Sequence, residues 1–191
     1  VFAVMADVAA QPAFKTEELE RARQEALDGL LVSLRQPNSV GSYAMTRRLF
    51  GAGAYGKTPS PKSIGALTAD DATSFHAAYW RPDNAVLVIA GDIKPDAGFK
   101  LAEDVFGAWA KPASALPSPV ADAQPVGVKP PLVIDMPKIG QAAVLVGRVG
   151  PSRLAPDYFP AVVANNVLGG GYSSRLNAEI RIRPGLSYGA G

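Results

Sequence analysis

The chain has 191 residues, 19 Lys+Arg against 17 Asp+Glu, 48% hydrophobic residues, one histidine and no cysteine. That apolar content excludes a disordered chain, and the near-balanced charge excludes the basic footprint of a nucleic-acid binder. A disulfide framework is impossible, and a single histidine cannot supply an intrachain zinc site that needs two.

In chain order, apolar residues at positions 1, 5, 8 and 9 have the spacing of a helix's last turns. Thr16 predicts an N-cap with Glu17 and Glu18 in the first turn. Leu19, Ala22, Ala26, Leu27, Leu30, Leu31 and Leu34 then make an amphipathic helix that ends before Pro37. A shorter helix from about Ser39 carries Val40, Tyr43, Ala44 and Leu49, and the glycines and prolines of 51–61 predict a loop. Thr68 with Asp71 has the pattern of a capping box opening a helix to Trp80. Pro82-Asp83-Asn84 breaks that helix, and 85–90 reads as a buried strand, far too short to span a bilayer. Pro95 starts a further helix, with Phe99, Leu101, Ala102, Val105 and Phe106 apolar, ending near Trp109.

Residues 111–131 hold six prolines and little apolar periodicity, which predicts an extended connector between a first domain, 1–110, and a second, 132–191. Strands are expected at 132–136 and 141–149, and a helix from Pro156 through Leu168 that Gly169–Gly171 ends. Ser173 or Ser174 caps another helix to about Arg183, and Pro184-Gly185 turns the chain into a strand at 186–191. Helices and strands mix on both sides of the connector, so the expected class is α+β. No basic, apolar leader follows Val1. Because the chain stops where a strand begins, it is expected to be a piece of a longer protein.

Few residues point to chemistry. The triple glycine lacks the Gly-Lys-Ser/Thr ending of a phosphate loop and reads as a helix terminator. His76, near Phe75 and Tyr79, reads as a packed or surface histidine, and Glu17, Glu18 and Glu20 as a solvated helix start. Arg181 and Arg183 are too close in sequence to share a helix face. Across the Pro-Gly turn, Tyr188 and Arg181 are donors of the kind that hold a peptide carbonyl or a developing oxyanion. On local sequence alone they read as an ordinary surface arginine and strand tyrosine.

Three stretches carry a resemblance that covers nearly the whole chain. The first runs through Tyr55-Gly56-Lys57, Ser63-Ile64, Leu67-Thr68-Ala69-Asp70-Asp71, Phe75, Tyr79, Pro82-Asp83-Asn84 and 86–92 to Phe106-Gly107-Ala108-Trp109. The second is Pro156-Asp157-Tyr158 with 165–171 and Ser174-Arg175-Leu176; the third is 181–188, ending Pro-Gly-Leu-Ser-Tyr. In this order and spacing the chain resembles the insulinase–pitrilysin family, which includes the mitochondrial processing peptidases.

The resemblance implies an α+β architecture of two similar sheet-plus-helices domains, both incomplete in this chain. It implies a zinc peptidase built from two half-molecules, with zinc taken from a His-x-x-Glu-His on a first-domain helix and a glutamate on a later one. Aligning Arg23-Gln24-Glu25-Ala26-Leu27 with the family's arginine-led segment puts Gly29 at the glutamate's place, and glycine cannot bind zinc. The family's non-metal half carries an arginine and a tyrosine seven residues apart that hold the substrate backbone, and Arg181 and Tyr188 match that spacing and setting. Ile182 and Pro184 depart from the polar residues common there. The implied function is the substrate-binding, non-metal half of a zinc-dependent peptidase acting on peptides, which would add a strand to a sheet edge. In the complete enzyme zinc would lie in a partner half, in a hetero- or homodimer, with none in this chain. Two alternatives stay open: a zinc-bearing homodimeric peptidase whose His-x-x-Glu-His precedes residue 1, and a scaffold subunit that cleaves nothing. Neither nucleic acid nor a membrane span is expected, and both bacterial periplasm and cytoplasm suit the composition.

Overall fold

A computed structural model of the chain describes residues 1–118 and 130–191, so most of the expected connector at 111–131 lies outside the described residues. Two compact units are present, Val1–Val146 and Gly147–Gly191.

Among the described residues the first unit holds six helices: α1 (Phe2–Ala10), α2 (Thr16–Ser33), α3 (Pro37–Phe50), α4 (Pro61–Gly65), α5 (Ala69–Tyr79) and α6 (Pro95–Phe106). Short 3₁₀ turns occupy Ala54–Gly56 and Pro82–Asn84. Helix α2 packs on α4, α1 on α6, and α3 on the first 3₁₀ turn. Thr16 is the first helical residue of α2 rather than its cap, which is Lys15, while Glu17 and Glu18 take their expected first-turn places. From the predicted apolar stripe Leu30 is buried, Leu19 and Leu27 are half-buried, and Leu31 and Leu34 stay exposed. Arg23 ties this helix to the loop before α5, donating from Nη2 to the Leu67 carbonyl and from Nη1 to Glu20.

Helix α3 opens on Pro37 and ends at Gly51, whose φ of +61 is the left-handed region that favours glycine. The chain then folds back so tightly that a Cβ on Gly56 would stand 2.0 Å from the Gly51 carbonyl oxygen, so only glycine fits there. Two capping boxes start the next helices, Ser60 with Ser63 at α4 and Thr68 with Asp71 at α5. The Thr68 hydroxyl, and then its backbone N–H, hold the Asp71 carboxyl below the usual carboxylate range. On α5, His76 donates from Nε2 to the Ala9 carbonyl at 2.9 Å, with the Phe14 ring edge-on at 5.7 Å and Trp80 stacked at 6.1 Å. The single histidine is therefore a packing residue that joins α5 to the end of α1.

Immediately after α5, Arg81 is 1% exposed. Its Nε and one Nη donate to the two carboxylate oxygens of Asp83 at 2.5 and 2.8 Å, and the same Nη donates to the Ser114 carbonyl at 2.9 Å. Lys111 approaches Asp83 at 3.6 Å.

The second unit runs from α7 (Tyr158–Asn165) through a π-helical turn (Asn166–Gly170) to α8 (Arg175–Asn177) and a second π-helical turn (Ala178–Ile182). Arg153 lies over the rings of Tyr158 and Phe159 at 4.6 and 4.8 Å, at the start of α7. That helix begins two residues after Pro156, which lies in the turn closed by Tyr158 N–H on the Ala155 carbonyl at 3.1 Å rather than in the helix.

The sheet-plus-helices architecture expected from the sequence does not stand. No strand exists among the described residues, whether at 85–90, 132–136, 141–149 or 186–191. These segments have strand-like composition, but a strand is completed only by a neighbour that takes its backbone N–H and C=O groups. The backbone bonds outside the helices are turns and caps, and none forms a ladder between these segments. Nor does their alternation bury a face: Val86, Val88, Val133 and Val144 are exposed, and Val146 is 96% exposed. A substrate strand added to a sheet edge therefore has no counterpart here.

The Arg81–Asp83 pair makes a pH-dependent contribution whose sign is fixed. The hydrogen bond from Arg81 is the largest influence holding the Asp83 carboxyl below the usual range; burial opposes it, and the nearby positive charges assist. A depressed folded-state pKa stabilises above the unfolded-state value and is lost as pH falls through the folded value. Asp83→Asn is expected to lower the melting temperature at neutral pH, with the gap to the parent chain closing as acid protonates Asp83. Parallel melting curves across the acid range would refute this.

Candidate functional site

The second unit holds both residues singled out for substrate contact. Arg181 lies in the turn Ala178–Ile182, where the chain widens by one residue and Arg183 N–H reaches the Ala178 carbonyl at 3.0 Å. Turns of this kind are rare and recur at functional sites. Gly185, at φ +67, stops the helix, its N–H donating to the Arg181 carbonyl at 3.1 Å. Leu186 N–H closes the outer loop onto the Ile180 carbonyl at 3.1 Å. The expected Pro184-Gly185 terminator is thus in place, and it fixes the backbone on both sides of the route from Arg181 to Tyr188.

Tyr188 is 88% exposed. Its backbone is shaped by Ser187, whose hydroxyl donates to the Gly189 carbonyl at 2.6 Å and accepts from the Gly189 N–H at 3.1 Å. Among the described residues no hydrogen bond joins Tyr188 to Arg181. The two side chains remain separate donors, one on each side of the turn. Arg181 places its guanidinium 5.1 Å over the ring of Tyr172 instead. Arg183 diverges from it, pairing with Glu179 at 2.5 Å.

Asn177 and Tyr172, close to this turn in sequence, escaped the sequence reading. Asn177, nearly buried, donates from Nδ2 to the Tyr172 carbonyl at 2.5 Å. Ser174 is at the expected cap position, but its buried hydroxyl has no hydrogen-bond partner among the described residues. An asparagine inside a short helix is a signal that could have been used, since such residues commonly serve a side-chain bond to nearby backbone. Nothing in the sequence marks Tyr172 apart from its place after the triple glycine.

The donor set does not fit a catalytic zinc. Among the described residues no three His, Cys, Asp or Glu side chains gather closely enough to hold a metal. The one histidine ring nitrogen within reach of a partner is committed to Ala9. Gly29 lies on the exposed face of α2, with open space where a side chain would begin.

Residues 66–191 match the family model described as the peptidase M16 inactive domain. An uncharacterized zinc protease of Streptomyces coelicolor is 26% identical over 190 residues, covering 97% of this chain and 41% of that protein. The uncharacterized zinc protease YmxG of Bacillus subtilis is 24% identical over 193 residues, 97% of this chain and 44% of that protein. A crystal structure of a peptidase M16 inactive domain from Pseudomonas fluorescens superposes with a TM-score of 0.72 at 25% identity, covering 98% of this chain and 45% of that one. The chain spans under half the length of these relatives.

Gly29 also carries a stability consequence. A glycine in the interior of an exposed helix costs conformational entropy, and an added Cβ meets no atom within 4 Å. Gly29→Ala is expected to stabilise the chain by about 0.5–1 kcal/mol, read as a higher urea midpoint at constant slope. An unchanged or lower midpoint would show that glycine is required at this position.

Proposed function

The chain belongs to the peptidase M16 inactive-domain family, and from that premise we propose that it is the substrate-binding, non-metal half of a zinc-dependent peptidase that hydrolyses peptides. The observation that carries the reading is the pair Arg181 and Tyr188, seven residues apart and set on either side of a glycine-terminated turn. Neither side chain is hydrogen-bonded to a protein group among the described residues. Tyr188 offers one phenolic O–H and Arg181 a planar fork of N–H groups. Donors of this kind bind backbone carbonyl oxygens of an extended peptide, and they bind more strongly as negative charge develops on the oxygen.

In this reading the chain grips the peptide, and a second family half-molecule, in a hetero- or homodimer, holds zinc. The names of the relatives, which are zinc proteases, and the family's description as an inactive domain support that division. The absence of a ligand atom at Gly29 points the same way. The division of the chain into a domain at 1–110, a connector at 111–131 and a second domain at 132–191 is part of the proposal. A chain serving only as scaffold would have no use for two exposed donors at this spacing.

Substitution in the full-length protein, assembled with its zinc-bearing half, tests the reading. Tyr188→Phe removes one hydroxyl and is expected to lower peptide turnover roughly ten-fold or more, with bound zinc unchanged. Unchanged turnover would sink the assignment of Tyr188 to the substrate.

A further inference from the structure

A guanidinium on a surface turn has to be aimed if it is to meet a substrate, and most ways of aiming it consume the donors that the substrate needs. A carboxylate partner takes two N–H groups in a fork, whereas an aromatic face attracts the cation and takes none. Glu179 is the acid nearest to Arg181 in sequence, and it is occupied by Arg183 at 2.5 Å. No ion pair or side-chain hydrogen bond involves Arg181 among the described residues. Its guanidinium carbon stands 5.1 Å from the centre of the Tyr172 ring.

Both ends of this contact are anchored through backbone. Tyr172 is held from below by Asn177, whose Nδ2 bonds its carbonyl, and the loop is closed by Ser174 N–H on the Gly171 carbonyl at 3.0 Å. Asn177 is 4% exposed, so this clamp is shielded from water. Arg181 is held by the Gly185 N–H on its own carbonyl. The Tyr172 side chain itself is 68% exposed, so the fold does not need it as core.

From this geometry we propose that Tyr172 is the positioning residue for Arg181. Its ring face holds the guanidinium over the turn and leaves the N–H groups for the peptide backbone. The inference rests on the reading of Arg181 as a substrate-holding residue and adds the group that orients it. The ring is the active feature and the phenolic hydroxyl is dispensable.

The test uses the full-length protein in its assembled, zinc-loaded peptidase, with kcat, KM and melting temperature measured on one peptide substrate. Tyr172→Leu, with Tyr172→Gln as a second ringless variant, is expected to lower kcat/KM about two- to five-fold, the range of an exposed cation–π contact. Tyr172→Phe keeps the ring and should restore parental kinetics, and all three variants should melt with the parent protein. In an Arg181→Ala background, Tyr172→Leu should cause no further loss, because the contact it removes is already gone. Additive losses, or a Tyr172→Phe defect equal to that of Tyr172→Leu, would overturn the proposal. If Arg181→Ala lowers turnover and the ringless variants do not, positioning by Tyr172 fails while the substrate reading stands. If Arg181→Ala has no effect, the substrate reading fails and takes this one with it.

Discussion

Burying a guanidinium is costly unless acceptors answer it, and Arg81, almost sealed from solvent, organises the first unit through that demand. Asp83 answers two of its nitrogens from only two residues away, which requires the chain to turn at once, and Pro82 in a 3₁₀ turn provides that bend. The Ser114 carbonyl answers again from 33 residues further on. Everything between, including the extended segment at 85–90 and helix α6, is therefore a closed excursion that starts and ends at one side chain. Lys111, close to the same carboxylate, strengthens the closure. Apolar burial alone would not do this, since Leu30 is the one buried hydrophobic residue among those described.

The second unit is built on the same logic at smaller scale. Its buried polar residues are Ser174 and Asn177, and Asn177 fastens a loop carbonyl that no helix or strand would otherwise satisfy. That fastening places the Tyr172 ring, and the ring in turn takes the Arg181 guanidinium. A short-range backbone bond at Gly185 holds the other side. The exposed donors thus stand on a base of backbone hydrogen bonds rather than on a large apolar core. This is how exposed side chains can be oriented in a unit with so little buried hydrocarbon.

Local chemistry was the legible part of the sequence. The Thr68/Asp71 capping box, Pro95 at the start of α6, the break after α3 at the glycines and prolines of 51–61, the Pro184-Gly185 turn, and the divergence of Arg183 from Arg181 each depend on residues within one or two turns. Errors at this level are small, such as Thr16 lying one residue inside its helix rather than capping it. The strands were misread because β-structure is a statement about two segments, and composition reports on only one. Residues 85–90 and 141–149 have the alternation and branching of strands, yet no neighbour among the described residues takes their backbone groups. The stripe on α2 was overread for a similar reason: a helix can present an apolar face without another element covering all of it, and Leu31 and Leu34 are left exposed.

For the site, the sequence by itself determined which donors are available and how far apart they lie along the chain. Arg181, Tyr188 and the Pro-Gly stop between them are local, and their seven-residue spacing follows from numbering alone. It also determined that the chain has a single histidine and no cysteine. Only the tertiary structure decided what those donors touch within the chain. Tyr172 meets Arg181 across nine residues of chain that include a loop, a short helix and a widened turn, and small rotations in any of them would separate the two. Arg81 meets Ser114 at still longer range. Such meetings depend on the summed geometry of everything between the partners, which no local pattern encodes.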